Sequence, residues 1–142
     1  MAGTRVSGKM PGTWDGVDVA VYSFQAVKNL PTADSGMICF HNKKYDEICR
    51  KLTWLGINKD TYARNSGTKG SYKWKYDVEY LGYKDHGNSI MAAIGLVELK
   101  YLDETNAYRR ELVKEYNKFF EGNNKINIIN APNADECSFH IY

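Results

Sequence analysis

From Asn88 onward, apolar side chains recur at helical spacing over about 30 residues. Ile90, Ala93, Ile94, Val97 and Leu102, then Leu112, Tyr116 and Phe119, share one face. No glycine or proline interrupts the run after Gly95. Asn88 or Ser89 can cap its start, and Gly122-Asn123-Asn124 closes it. So long an apolar face needs a second layer to lie on. Val17 to Ser23 (VDVAVYS) and Gly36 to Phe40 (GMICF) read as short buried strands. Phe24 to Ser35 between them holds Pro31 and no apolar period, so it reads as loop. Tyr45, Ile48, Leu52 and Leu55 predict a further helix, capped by Asn42 and ended by Gly56. Residues 57 to 87 are irregular, with interleaved Lys and Tyr. Ile126 to Ile129 and Ser138 to Tyr142 (SFHIY) read as short strands.

At 142 residues the length alone suggests one domain. Apolar residues make up 43% and charged residues 25%, which excludes a collagen, a disordered chain or a disulfide scaffold. No apolar run approaches the ~18 residues of a membrane span, so no membrane partner is expected. The segment Met1 to Arg5 carries no apolar stretch of a secretory signal. Cys39, Cys49 and Cys137 show no Cys-x-x-Cys spacing and read as free thiols in a reducing compartment. The expected location is therefore cytoplasmic.

Lys28 is the residue most suited to chemistry. It follows the first strand closely, and Val27, Leu30 and Pro31 around it are apolar. Two readings stay open from the residues alone. It is a surface lysine laying its stem on apolar neighbours, or a desolvated amine able to form a Schiff base with a carbonyl cofactor.

The surrounding motif sharpens this. Ser23-Phe24-Gln25-Ala26-Val27-Lys28-Asn29-Leu30-Pro31-Thr32-Ala33-Asp34-Ser35-Gly36 resembles Ser-Phe-His-x-x-Lys-x-x-x-Thr-x-Glu-x-Gly-Gly of the DegT/StrS-type sugar aminotransferases. These are pyridoxal-phosphate enzymes that aminate nucleotide-linked keto sugars. Leu55-Gly56-Ile57 is similar to a family stretch after the helix. Gly82-Tyr83-Lys84 through Ile90-Met91-Ala92-Ala93-Ile94-Gly95-Leu96 resembles a third block. Arg109-Arg110 is similar to a paired arginine, and Ser138-Phe139-His140 to the start of a late strand. Gln25 stands for the usual histidine, Asp34 for the glutamate, and Ser35 for a glycine. Asp85, Gly87 and Ser89 also depart from the pattern. These departures bear on substrate choice more than on cofactor attachment.

The resemblance implies an α/β fold, a fragment of the aspartate-aminotransferase-like architecture with a mostly parallel sheet. Residues 1–56 would end the large pyridoxal-phosphate-binding domain. Residues 57–87 would form a loop near the active site and dimer interface. Residues 88–142 would hold the long helix and the start of the small α+β domain. Lys28 would be the catalytic Schiff-base lysine for pyridoxal 5'-phosphate. Ser23 would bind the cofactor phosphate, with Gln25 also at the cofactor. Lys84 and His86 would reach the phosphate across a homodimer. The implied substrates are a nucleotide-linked keto sugar and an amino-acid donor, usually glutamate, in polysaccharide or antibiotic sugar synthesis. Each of these residues also has a plainer reading: a turn serine, a solvated lysine, a packing histidine.

Three other readings compete. Lys59 to Lys84 interleaves Lys59, Arg64, Lys69, Lys73, Lys75 and Lys84 with Tyr62, Tyr72, Trp74, Tyr76, Tyr80 and Tyr83, as a single-strand nucleic-acid binder can. Asp60, Asp77, Glu79 and Asp85 dilute that patch, and the net charge is only +2, so no nucleic-acid partner is expected. Cys39, His41, Cys137 and His140 have poor spacing for zinc, so no metal is expected. The family's aspartate partner of the pyridine nitrogen aligns upstream of Met1. The chain alone is thus expected to show little transaminase activity, the alternative being a non-catalytic fragment or interaction module.

Overall fold

The computed structural model describes residues 2–58, 76–128, 131 and 133–142. Among them it forms β1 (Val19–Ser23), β2 (Gly36–Phe40), α1 (Lys43–Thr53), α2 (Ser89–Glu98), α3 (Leu102–Phe120) and a 3-10 turn at Ala134–Glu136. The chain divides into two compact units: Met1–His41 with Gly87–Tyr142, and Asn42–His86. No helix among the described residues is long and apolar enough to cross a membrane.

In the first unit, β1 and β2 pair antiparallel, with Val19 opposite Phe40 and Ser23 opposite Gly36. This corrects the parallel arrangement expected of the two strands. A parallel return needs a crossover, usually a helix, and residues 24–35 contain none. That segment folds back on itself instead. The Phe24 N–H donates to the Ser35 carbonyl at 2.8 Å, and the Thr32 N–H to the Phe24 carbonyl at 2.8 Å. β1 starts at Val19 rather than Val17, because the Val17 N–H is held in a turn by the Trp14 carbonyl at 3.1 Å. Ala20 and Tyr22 face inward along it, and the Tyr22 hydroxyl donates to the Pro11 carbonyl.

The helical run expected from Asn88 is two helices. Between them the bonds tighten to i→i−3, from Lys100 N–H to the Val97 carbonyl at 3.1 Å and from Tyr101 N–H to the Glu98 carbonyl at 3.0 Å. Asp103 and Glu104 then occupy the first turn of α3, where the helix dipole favours carboxylates and a fresh start. Asn88 caps α2, its Oδ1 accepting from the Met91 N–H at 2.9 Å. The apolar face of α2 is largely uncovered, with Ile90 75% and Val97 52% exposed. α3 buries Leu102 and Asn106.

Ser138 to Tyr142 is not a strand. The Ser138 hydroxyl shares a hydrogen bond with Thr4 at 2.6 Å, and its carbonyl accepts from Asn29 at 2.6 Å. Phe139 follows at φ 36°, in the left-handed region, which cannot continue an extended chain. Residues 126–128 are not strand either, and Ile129 lies outside the described residues.

The second unit is built on α1, where the expected helix does form. Asn42 Oδ1 accepts from the Lys44 N–H at 2.9 Å, and Asp46 pairs with Arg50 at 2.8 Å one turn on. Leu55 at φ 59° and Gly56 at φ 73° end it, the Gly56 N–H donating to the Lys51 carbonyl at 2.8 Å. The chain then returns beside the helix end. Leu55 N–H donates to the Tyr83 carbonyl at 2.8 Å, Tyr83 N–H to the Leu52 carbonyl at 2.7 Å and Glu79 N–H to the Gly56 carbonyl at 2.9 Å. Of the Lys- and Tyr-bearing stretch, residues 59–75 lie outside the described residues.

A Cβ at position 56 would run into the Tyr80 carbonyl, and the positive φ disfavours any side chain there. Gly56→Ala is therefore expected to destabilise the protein by more than about 2 kcal/mol in denaturant unfolding. A change within a few tenths would show that this contact does not hold the unit together.

Candidate functional site

Lys28 sits on a tight turn after β1. Its N–H donates to the Gln25 carbonyl at 2.9 Å, and Gln25 Oε1 accepts from the Val27 N–H at 3.0 Å. The Gln25 side-chain carbonyl therefore shapes the turn that presents the lysine. Beyond Lys28 the chain goes inward at once: Asn29, Leu30 and Thr32 are all buried. Ser23 is exposed at the end of β1.

Asn29 anchors this turn. Its side-chain amide donates to Asn106 Oδ1 at 2.7 Å and to the Ser138 carbonyl at 2.6 Å. Asn106 in turn donates to the Ala2 carbonyl at 3.3 Å. Four distant stretches of chain meet at these two amides. Buried amides demand partners, so the cluster specifies one arrangement.

The cluster brings His140 to Lys28. Nζ of Lys28 lies 3.4 Å from His140 Nε2. Burial lowers the His140 pKa below its ordinary 6.5, and the charges of Lys28 and then Arg109 lower it further. A neutral imidazole accepts at Nε2 from Lys28 and carries its proton on Nδ1. That Nδ1 is buried without a partner among the described residues, as is Arg109 Nε. Arg109 lies one turn beyond Asn106 on α3, and the neighbouring Arg110 donates to the Cys137 carbonyl at 3.4 Å. The half-buried amine thus stands among nitrogen groups.

The other two expected cofactor residues, Lys84 and His86, belong to the second unit and are brought together there. Lys84 Nζ lies 3.6 Å from the centre of the Trp54 ring and 3.5 Å from His86 Nε2. The His86 ring meets Trp54 edge-on at 3.8 Å between centroids. Lost hydration, and then the Lys84 charge, lower the His86 pKa. A cation held over an indole face gains about 0.5–1 kcal/mol at an exposed site.

Sequence reasoning on single residues missed Asn29, Asn106, His140, Arg109 and Trp54 as parts of these groups. Asn106 did leave a signal. It lies one turn from Leu102 on the inward side of α3, and a polar residue in that place must find a partner.

Comparison with known proteins gives a consistent result. The family described as the DegT/DnrJ/EryC1/StrS aminotransferase family matches residues 2–142. The chain is 36% identical over 104 residues to the spore coat polysaccharide biosynthesis protein SpsC of Bacillus subtilis, covering 73% of this chain and 26% of that protein. It is 28% identical over 140 residues to a UDP-4-amino-4,6-dideoxy-N-acetyl-beta-L-altrosamine transaminase of Campylobacter jejuni, covering 99% and 34%. It resembles the solved Spr1654 of Streptococcus pneumoniae in its PMP form, with a TM-score of 0.63, 32% identity and coverage of 75% and 27%. The PLP form of that protein is similar too. The chain thus spans about a third or less of the relatives it matches.

Two outcomes follow from the geometry. Asn106→Ala removes the acceptor of Asn29 and the donor to Ala2, and is expected to cost about 1–3 kcal/mol in denaturant unfolding. Both His140 and His86 have folded pKa values below 6.5. The unfolded chain therefore binds more protons below neutrality, and stability should be full above pH 6.5 and fall as pH drops through the folded values. His140→Gln should flatten that slope in unfolding measured across pH, and an unchanged slope would contradict the burial of a neutral His140.

Proposed function

Because this chain belongs to the DegT/DnrJ/EryC1/StrS aminotransferase family, we propose that it carries the reactive lysine of a pyridoxal-phosphate-dependent sugar transaminase, and that this lysine is Lys28. The family's aminotransferases depend on pyridoxal phosphate, and the similar Spr1654 structures include PLP and PMP forms. The proposed reaction moves an amino group from an amino-acid donor, glutamate in this reading, to a nucleotide-linked keto sugar. The observation that carries the reading is the half-buried Lys28 amine, set on a fixed turn 3.4 Å from a neutral imidazole.

The residues present suit the cofactor. Its anionic phosphate and phenolate oxygens need donors, and the neighbourhood of Lys28 offers buried donors without partners on His140 and Arg109. When bound, pyridoxal phosphate supplies an aldehyde that accepts amino groups and a ring that stores an electron pair. Lys28 has two tasks in this reading. Its Nζ would hold the cofactor covalently, and as a free amine it would take the proton from the donor Cα. His140 Nε2 receives a hydrogen bond from the amine and so orients it. Ser23, at the end of β1, would donate to the phosphate, with Gln25 beside it. Lys84 and His86 would meet the phosphate bound by a second copy of the chain in a homodimer.

Under the same reading, residues 1–56 end the large domain, 57–87 pass near the site and the dimer contact, and 88–142 lead into the small domain. Substrates linked to nucleotides favour a cytoplasmic setting.

Borohydride reduction in the presence of pyridoxal phosphate, followed by peptide mass analysis, tests the assignment. The adduct is expected on the peptide holding Lys28 and is expected to disappear in Lys28→Ala. Equal labelling of other lysines in both proteins would overturn it.

A further inference from the structure

Glu136 is gripped through its side chain and its backbone by one turn near the start of the chain. The N–H groups of Val6 and Lys9 each donate to the other's carbonyl, at 2.9 and 3.1 Å. Between them Ser7 stands at φ 51° and Gly8 at φ 76°. Two successive left-handed residues turn their N–H groups to one side, leaving a concavity suited to an anion. The Glu136 carboxylate fills it. Its Oε2 accepts from the Ser7 N–H at 3.0 Å, and its Oε1 accepts from the Gly8 N–H. Asn133 Nδ2 donates to the same Oε2 at 3.2 Å. The Glu136 carbonyl accepts from the Arg5 N–H at 2.8 Å, and the Arg5 guanidinium donates to the Gly8 carbonyl at 3.1 Å.

This seat lies just before the residue that meets Lys28. Ser138, two residues on, is fixed by Thr4 and Asn29. A segment anchored at one residue can pivot about it, and a second anchor two residues away fixes its direction. Cys137 between them is tied only by a long bond, from Arg110 to its carbonyl at 3.4 Å. The bonds to the Glu136 carboxylate are charge-assisted and therefore stronger than the neutral bonds at Ser138. Beyond the two anchors the chain turns at Phe139, with φ 36°, and His140 Nε2 arrives 3.4 Å from Lys28 Nζ. We infer that Glu136 is a positioning residue for the Lys28–His140 pair: seated in the Ser7–Gly8 turn, its carboxylate fixes the line along which residues 136–140 bring the imidazole to the amine. What the pair is used for rests on the transaminase reading above, whereas the positioning itself involves no cofactor.

The test uses the full chain without cofactor, so its failure is separate from a failure of Lys28 labelling. Glu136→Gln keeps the shape of the side chain but offers one oxygen and one NH2 group, which sets a donor against one of the two turn N–H groups. The readout is the tautomer ratio of neutral His140, taken from the ¹⁵N chemical shifts of its ring. In the unmodified chain the Nδ1–H form is expected to dominate, because Nε2 accepts from Lys28. Lys28→Ala supplies the ratio without that contact. Glu136→Gln is expected to move the ratio at least halfway to that of Lys28→Ala, with circular dichroism reporting that the fold is kept. Asp135→Asn, which removes a negative charge from the adjacent residue, is expected to leave it unchanged. In the unmodified chain the amides of Ser7 and Gly8, which lie on an exposed turn, are expected to exchange hydrogen about tenfold more slowly than unstructured amides. A folded Glu136→Gln with the unmodified ratio overturns the proposal. So does an equal shift in Asp135→Asn, or an unmodified chain whose ratio matches Lys28→Ala. Unprotected Ser7 and Gly8 amides in the unmodified chain also overturn it, whether or not Glu136→Gln folds.

Discussion

The side chain of Asn29 is the constraint on which the first unit depends. One primary amide, buried to 5% exposure, donates to a helix side chain and to a backbone carbonyl more than a hundred residues away. Asn106 extends the link to Ala2. Few apolar side chains are buried in this unit, with Leu30 and Leu102 below a tenth exposed among the described residues. Apolar contact is tolerant of sliding, whereas an amide pair is satisfied in only a narrow set of positions. The polar cluster therefore decides where the Lys28 turn, α3 and the segment around His140 lie.

The same cluster explains a backbone feature that strand propensity opposes. Ser-Phe-His-Ile-Tyr is rich in residues that favour strands, yet Phe139 adopts φ 36°. A left-handed phenylalanine costs about 1–2 kcal/mol. The hydrogen bonds at Ser138, through both its hydroxyl and its carbonyl, hold the chain in that turn and aim His140 back toward Lys28. Strain of this kind collects where surrounding contacts over-determine the backbone.

The second unit follows a different logic. Its end is organised around an indole. Trp54 caps α1, and the returning chain lays Lys84 on the face of its ring and His86 against it. Backbone bonds between residues 52–56 and 79–85 set that approach. The lowered pKa of His86 follows from losing water and standing beside an ammonium. Lys84 is thereby an oriented cation rather than a freely solvated one.

Much of this was legible in the residues. The strand at Gly36–Phe40, the Asn42-capped helix with its glycine end, and the Asn88 cap all appear where local pattern places them, whereas the first strand starts two residues late at Val19 and neither strand is buried. The family membership was also legible, because the motif around Lys28 and the block from Gly82 to Leu96 are contiguous in sequence. The direction of strand pairing, the break between α2 and α3, and the loss of the final strand were not. Each is settled by hydrogen bonds between distant residues, or by competition between a continuing helix and a better-charged new start. The site divides in the same way. Lys28 is recognisable from its neighbours along the chain. His140, Arg109, Asn29 and Asn106 become one group only when the chain folds, because buried donors and acceptors must find partners wherever the backbone brings them.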